Sequence, residues 1–208
     1  FIEIALTELE PAVLIEVRLI IATLVLTVLL VARDGARTTW RSVKQLWRPA
    51  LVLGLVNAAL PYTLIAWGQT RIDSGIAAIT VATVPIFVVL LAIRFRPSEQ
   101  VSGLRLVGIL LGLAGVAVLA GVAPVGGIAA TVGIIAATTA SLCYAASALY
   151  IQIRLGGISP LALALVTTAG GALLLLPWAA AEAPSSAPSF DVLGAVVALA
   201  VLGTALAQ

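Results

Sequence analysis

The feature that most constrains this chain is a succession of apolar segments, each about as long as a helix that crosses a membrane. Such a helix needs roughly 20 largely apolar residues, because the hydrocarbon core of a bilayer is about 30 Å thick. Charged residues and Pro or Gly breaks separate seven such segments: Val13–Ala32, Ala50–Gly68, Gly75–Ile93, Leu104–Gly121, Ile128–Ile153, Pro160–Ala181 and Asp191–Gln208. We therefore predict an all-α, polytopic transmembrane helix bundle.

Composition agrees with a membrane protein and argues against an enzyme. Hydrophobic residues make up 62% of the chain and charged residues 10%, whereas a soluble domain carries about 25% charged residues. The chain has no histidine and one cysteine, Cys143, which excludes His-ligated zinc, Ser-His-Asp triads and multi-cysteine metal sites. We expect no catalytic residues, no metal, no cofactor and no nucleic-acid partner.

The basic residues alternate between loops. Nine of the eleven Lys and Arg residues fall in every second connection, one lies in an alternate connection, and Arg18 lies inside a span. Cytoplasmic loops of membrane proteins carry an excess of Lys and Arg. The basic connections are therefore predicted to face the cytoplasm, and the alternation supports the number of spans.

The chain also contains an internal repeat. Phe1-Ile2-Glu3-Ile4 aligns with Tyr150-Ile151-Gln152-Ile153, and the same offset aligns Pro11 with Pro160. At a slightly smaller offset, Ala59-Leu60 aligns with Ala205-Leu206. We predict a first repeat over 1–122, lacking most of its first helix, and a second over 123–208, lacking its last two helices. A five-span repeat places its second copy upside down, and inverted repeats are typical of transporters.

Two charged residues are predicted to lie within the first span. Arg18 is about seven residues past Pro11, roughly 10 Å along a helix, and a charge at that depth is costly unless it is paired, snorkels or faces a cavity. Arg18 either anchors the helix or faces a cavity. Glu16 points to a different face of the helix and does not pair simply with Arg18. It is either solvated near the outer surface or the carrier of a coupled proton.

Two prolines interrupt predicted spans. Pro61 lies in the middle of the second span and frees the carbonyl of Asn57, because proline has no N–H to donate. Pro85 lies in the middle of the third span. Both are expected to bend helices at a substrate cavity, with Asn57 facing it.

Polar residues recur at helical spacing in the third and fifth spans. Thr80 and Thr83 share one face, and Ser141 and Tyr144 lie on one face of the fifth span. The hydroxyl groups could line a cavity, or they could bond backbone carbonyls and support helix packing. The ring and hydroxyl of Tyr144 suit a wall that contacts substrate.

Several motifs together resemble those of a known family. They are Gly54-Leu55-Val56-Asn57-Ala58-Ala59-Leu60-Pro61-Tyr62, Ala66-Trp67-Gly68-Gln69, Ser74-Gly75-Ile76-Ala77-Ala78-Ile79, Gly108-Ile109-Leu110-Leu111-Gly112-Leu113-Ala114-Gly115-Val116, Ser141-Leu142-Cys143-Tyr144-Ala145, Ser159-Pro160-Leu161-Ala162-Leu163 and Leu202-Gly203-Thr204-Ala205-Leu206-Ala207. In order and spacing they resemble EamA-type transporters of the drug/metabolite transporter (DMT) superfamily, over essentially the whole chain.

The resemblance implies ten helices in two inverted five-helix repeats, of which about seven are present, so the chain is expected to be truncated at both ends. Arg18 matches the family's arginine in helix two, and Glu99 its glutamate at the cytoplasmic end before helix five. Three positions depart from the family pattern: Val81 stands where an asparagine is frequent, Gln100 replaces the arginine after Glu99, and Glu3 stands where a basic residue is common. These departures bear on substrate and coupling more than on fold.

The function expected from these features is secondary transport in the bacterial inner (plasma) membrane. The protein would export small organic metabolites, such as amino acids or drug-like solutes, by alternating access, and a homodimer is compatible with the sequence. The expected cavity residues are Asn57, Thr80, Thr83, Ser141 and Tyr144. The alternatives are a channel-like conduit, for which no charged or carbonyl-rich filter is visible, and a membrane enzyme, for which the spans lack paired carboxylates.

Overall fold

The computed structural model describes residues 2–95, 107–108, 111–112, 114–115, 118, 127–182 and 188–205. Within these ranges the secondary structure is helical and contains no strand. The α-helices are α1 (Ile2–Ala5), α2 (Pro11–Asp34), α3 (Ala36–Gln45), α4 (Trp47–Leu53), α5 (Leu60–Gln69), α6 (Ser74–Val81), α7 (Val84–Phe95), α8 (Gly127–Arg154), α9 (Pro160–Ala181) and α10 (Phe190–Ala200). Two π-helical segments, Gly54–Ala59 and Val201–Ala205, continue α4 and α10 respectively.

Five helical stretches among the described residues are long and apolar enough to cross a membrane: Pro11–Asp34, Trp47–Gln69, Ser74–Phe95, Gly127–Arg154 and Pro160–Ala181. They confirm the predicted all-α polytopic bundle and correspond to five of the seven predicted spans. The fourth predicted span, Leu104–Gly121, lies largely outside the described residues. The seventh is represented by α10 and the π-helical segment that follows it, up to Ala205.

Prolines and a glycine set the ends of two long helices. α2 and α9 each begin with a proline, Pro11 and Pro160, at the position where the missing N–H has no partner in any helix. α2 ends at Asp34 and is followed by Gly35, whose φ of 82° lies in the left-handed region that favours glycine. The chain therefore changes direction between α2 and α3.

The first π-helical segment lies directly before Pro61. Its widened turn is closed by the N–H of Leu60, which donates to the carbonyl of Leu55 five residues earlier. In a regular α-helix the ring of Pro61 would clash with the carbonyl of Asn57, and a wider turn relieves such a clash. In the third span, Pro85 is the second residue of α7, and the helix is interrupted before it, at Ala82 and Thr83.

One compact unit comprises 1–66 and 157–208. In it α9 packs along α2 and also against α4 and the first π-helical segment, while α10 and the second π-helical segment pack against α2. The backbone of α9 touches those of α4 and of the first π-helical segment. A Cβ added to Gly170 would overlap the carbonyl group of Ala50 in α4, and one on Gly54 in the π-helical segment would overlap the backbone of Gly170. Small residues allow such close approach in membranes.

The other compact unit comprises Trp67–Gly156, in which α6 and α7 pack against α8. Ile72, Ala77, Ala130 and Ala137 form a buried apolar cluster. The predicted repeats, 1–122 and 123–208, divide the chain by sequence, whereas the compact units group helices by contact. The division into repeats therefore stays a prediction.

Large apolar side chains cover the outside of the long helices. Leu24, Val28 and Leu173 are each more than 60% exposed. Exposed apolar surface of this extent is costly in water and is satisfied by lipid. The helices thus belong to a multi-pass membrane protein, as their length and composition predict.

Candidate functional site

The candidate site is centred on Arg18, the eighth residue of α2. Its side chain is 7% exposed, within a helix that is apolar enough to span the membrane. A cation in such a place is stabilised only by polar partners or an aqueous cavity. The contacts of Arg18 therefore decide what it can do.

Three neutral groups hold the guanidinium. Its Nε donates to the hydroxyl of Thr204 at 2.6 Å, and its Nη2 donates to the carbonyl of Gly203 at 3.2 Å. The guanidinium carbon lies 4.1 Å from the centre of the Tyr62 ring, a distance at which a cation is attracted to an aromatic face. We call Arg18, Tyr62, Gly203 and Thr204 the Arg18 assembly.

The two π-helical segments position these partners. Gly203 and Thr204 belong to the second segment, Val201–Ala205, and Tyr62 lies three residues after the first, Gly54–Ala59. The Thr204 hydroxyl donates its proton to the carbonyl of Leu199, so its lone pairs are available to accept from Arg18. π-helical turns are rare and occur frequently at functional sites.

No carboxylate neutralises Arg18 within the described part of the chain, where the ion pair found is Arg33 with Asp34 at 3.4 Å. Of the five N–H bonds of the guanidinium, two donate to Thr204 and Gly203. Among the described residues, the positive charge of Arg18 is therefore balanced by dipoles and an aromatic ring and by no carboxylate. Such a site is suited to an anionic group, which a guanidinium can hold through two parallel hydrogen bonds.

Glu16 lies two residues before Arg18 and is also buried, at 5% exposure. Its Oε2 has no hydrogen-bond partner among the described residues, and it forms no ion pair with Arg18. The structure therefore places both predicted intramembrane charges in the interior of the first unit, without pairing them. A buried carboxylate oxygen that lacks a partner is costly when charged.

Three of the predicted cavity residues lie together in the second unit. The hydroxyl of Thr80 donates to the carbonyl of Ile76, and that of Thr83 donates to the carbonyl of Thr80. Ser141 on α8 donates to the carbonyls of Ala137 and, across the helix interface, Thr80 at 3.1 Å. All three side chains are at most 4% exposed. Their hydroxyl protons are thus engaged by backbone carbonyls, and a role in lining a cavity stays a prediction.

The remaining predicted residues are distributed over both units. Asn57 is half-buried in the first π-helical segment, and Tyr144 is half-buried on α8, one turn after Ser141. Pro61 is buried directly after the first π-helical segment. Glu99 lies outside the described residues.

Sequence reasoning missed Tyr62, Gly203 and Thr204 as functional candidates. Each lies in a motif that carries the family resemblance, but nothing local to those motifs indicates a contact with Arg18. The available signal is the alignment of Ala59 with Ala205, because it places the two π-helical segments at corresponding positions of the two predicted repeats.

Comparisons with known proteins bear on the family and the fold of the chain. A model of the EamA-like transporter family matches residues 1–121. An uncharacterized transporter from Archaeoglobus fulgidus (strain ATCC 49558 / DSM 4304 / JCM 9628 / NBRC 100126 / VC-16) is 26% identical over 111 residues, which are 53% of this chain and 38% of that relative. The matched region thus spans well under half of the relative's length. One solved crystal structure superposes on 96% of this chain and 67% of its own with a TM-score of 0.69, and at 20% identity this likeness shows the fold alone.

Proposed function

Because the chain belongs to the EamA-like transporter family, we propose that the protein is a secondary transporter of small organic metabolites, such as amino acids or drug-like solutes. In this proposal it resides in the bacterial inner membrane, exports its solute, and works by alternating access of two inverted repeats around a site near the midplane. Its partners are the solute, the lipid bilayer and, in the assembled state, a second copy of the chain.

The observation that carries the proposal is the Arg18 assembly. A scaffold helix that only needed to span the membrane would be more stable with an apolar residue at this position. Here the chain instead holds a buried cation with neutral partners, next to two irregular helical turns. Polar residues within spans that have such surroundings mark substrate and ion pathways.

The chemistry of the Arg18 assembly favours a solute with an anionic group. A carboxylate would replace the missing counter-charge and could accept two hydrogen bonds from the guanidinium. The ring of Tyr62 lies against the guanidinium and limits its rotation. Uncharged analogues of the same solute, such as the amide, would lose the charge-assisted bonds and bind less tightly.

We further propose that Glu16 carries a coupled proton. Its carboxylate is buried in the same helix and has an oxygen with no partner among the described residues. A proton bound there would remove the cost of burying a charge. Transport coupled in this way depends on the pH difference across the membrane, whereas uncoupled exchange does not.

Reconstitution of the full-length protein into proteoliposomes tests these proposals. Uptake of a panel of labelled solutes, each carboxylate paired with its amide, should saturate for at least one carboxylate and be weaker for its amide. Arg18→Gln should reduce that uptake at least tenfold, because charge-assisted hydrogen bonds contribute about 1.5–3 kcal/mol each. Glu16→Gln should leave solute exchange intact but abolish its response to a pH gradient.

Arg33→Gln is the matched control, because Arg33 lies on the same helix but is exposed at its end and paired with Asp34. It should transport like the parent protein. Absence of saturable uptake across the whole panel would overturn the transporter proposal. If uptake saturates but Arg18→Gln does not reduce it, the transporter proposal holds and the Arg18 assembly is not part of the solute site.

A further inference from the structure

The helix α3 (Ala36–Gln45) lies directly between two membrane spans. The preceding span ends at Asp34 and is followed by Gly35, with φ of 82°. α3 ends at Gln45 and is followed by Leu46, with φ of −100° and ψ of 13°. Both residues break the helix, so α3 is a separate ten-residue element. Because it directly joins the end of one span to the start of the next, α3 lies at the boundary of the membrane.

One face of α3 packs on the protein. Thr39 is 6% exposed and Leu46, directly after the helix, is 8% exposed. Val43 packs against a buried apolar cluster that includes Leu26 and Leu30 of α2. Residues 39, 43 and 46 lie at the spacing of one helical face. The opposite face is consequently directed away from the protein.

That opposite face combines cations with exposed tryptophans. Trp40 is 63% exposed and Trp47 is 54% exposed. The Lys44 ammonium lies 5.6 Å from the centre of the Trp40 ring, and the Arg48 guanidinium lies 5.1 Å from that of Trp47. We call the outward residues of α3 and of the first turn of α4 the basic face of α3; they are Arg37, Trp40, Arg41 and Lys44 on α3, and Trp47 and Arg48 on α4.

The charge on this segment is strongly unbalanced. Residues 33–48 contain five basic residues and one acidic residue, a formal charge of +4. The acidic residue, Asp34, is paired with Arg33, outside the basic face. Among the described residues no carboxylate lies within ion-pair distance of Arg37, Arg41, Lys44 or Arg48.

We propose that the basic face of α3 binds the headgroups of anionic phospholipids in the leaflet where α3 lies. Tryptophan is enriched at the level of the headgroups, where its ring is apolar and its N–H remains hydrated. Basic residues placed at that level are attracted to anionic lipids. Trp40 and Trp47 each lie beside a cation, which places both features in the same layer. A zwitterionic lipid could contact the tryptophan rings, but it would not neutralise the positive charge of the basic face.

The test uses the full-length protein in mild detergent, with every tryptophan except Trp40 replaced by phenylalanine. Brominated phosphatidylglycerol or brominated phosphatidylcholine is titrated in, and quenching of Trp40 fluorescence reports lipid at the basic face. Phosphatidylglycerol should quench at a lower mole fraction than phosphatidylcholine. The triple change Arg37→Gln, Arg41→Gln and Lys44→Gln should raise the phosphatidylglycerol fraction required at least tenfold, because each cation near the surface contributes about fivefold.

The matched control removes the same number of charges elsewhere, through Arg71→Gln, Arg94→Gln and Arg154→Gln. It should keep the preference for phosphatidylglycerol. If the triple variant on α3 does not fold, its counterpart with Arg37→Lys and Arg41→Lys keeps the charge and should also keep the preference. Equal quenching by both lipids in the parent protein would overturn the proposal. The proposal would also be overturned if the α3 variant and the control variant lost the preference for phosphatidylglycerol to the same extent.

Discussion

Replacing Thr204 with valine is the sharpest test of the Arg18 assembly. Valine has nearly the shape of threonine but offers no acceptor, so the 2.6 Å bond from the Arg18 Nε is lost. The donor would stay buried, because the Arg18 side chain is 7% exposed. The variant also removes the hydrogen bond from the Thr204 hydroxyl to the carbonyl of Leu199, a neutral bond within its own helical turn, and it changes the packing little.

The size of the effect follows from the charge of the donor. Hydrogen bonds to charged groups contribute about 1.5–3 kcal/mol, so Thr204→Val should lower the free energy of unfolding by about that amount. Since about 1.4 kcal/mol corresponds to a factor of ten, the unfolding equilibrium should shift roughly 10- to 150-fold. The 3.2 Å bond to Gly203 does not compensate, because it uses a different nitrogen.

Thr27→Val is the control for this prediction. Thr27 is half-buried on the same helix, and its hydroxyl donates to the carbonyl of Thr23 in its own helix. Side-chain hydrogen bonds within membrane proteins contribute about 0.6 kcal/mol on average. Unfolding in mixed micelles with increasing denaturing detergent, followed by loss of helical circular dichroism, measures both variants. If Thr204→Val costs no more than Thr27→Val, the bond to Thr204 does not support the buried arginine.

Three further predictions concern other parts of the molecule. Gly170→Val should lower the free energy of unfolding by at least about 2 kcal/mol, the scale of an overpacked core, because its Cβ would overlap the α4 backbone. The yield of native protein after purification should fall accordingly. A normal yield would contradict the close packing of α9 on α4. The backbone N–H of Ser189, and then its side chain, lower the pKa of the exposed Glu8 carboxylate. That contact therefore stabilises the fold above the ordinary carboxylate pKa and is lost as the pH falls below it, so Glu8→Gln should flatten the stability profile below that pKa. Asn57→Ala combined with Tyr144→Ala should reduce solute uptake in proteoliposomes, and unchanged uptake would remove both from the solute site.

Much of the fold was predictable because its signals are local. A span is recognised from about 20 consecutive apolar residues, and the five spans in the described residues were each found to within a few residues. Pro11 and Pro160 indicate helix starts for the same reason, since a missing N–H acts on its own turn. The interruptions around Pro61 and Pro85 were predicted as bends. Their form, a π-helical segment in one case and a break at Ala82 and Thr83 in the other, depends on the neighbouring helices.

The candidate site was predictable only in part. The depth of Arg18 and Glu16 follows from counting residues along α2, and the structure places both in the interior. The hydroxyls of Thr80 and Ser141 illustrate the limit: the same residues can face a solute or bond a carbonyl, and the sequence pattern is identical in the two cases. Their burial, and the hydrogen bond from the Ser141 hydroxyl to the Thr80 carbonyl, come from how α6 and α8 pack.

By itself, then, the sequence determined that the chain is a helical membrane protein, which of the described stretches are long and apolar enough to span the bilayer, and that a charged residue lies within the first of them. These properties depend on hydropathy and charge over a few turns of one helix, which any window of the chain reveals. The tertiary structure alone decided that Arg18 is held by Thr204, 186 residues away, and that no carboxylate among the described residues neutralises it. A hydrogen bond between distant residues depends on the packing of whole helices, and that packing is the sum of many weak contacts that no single motif records.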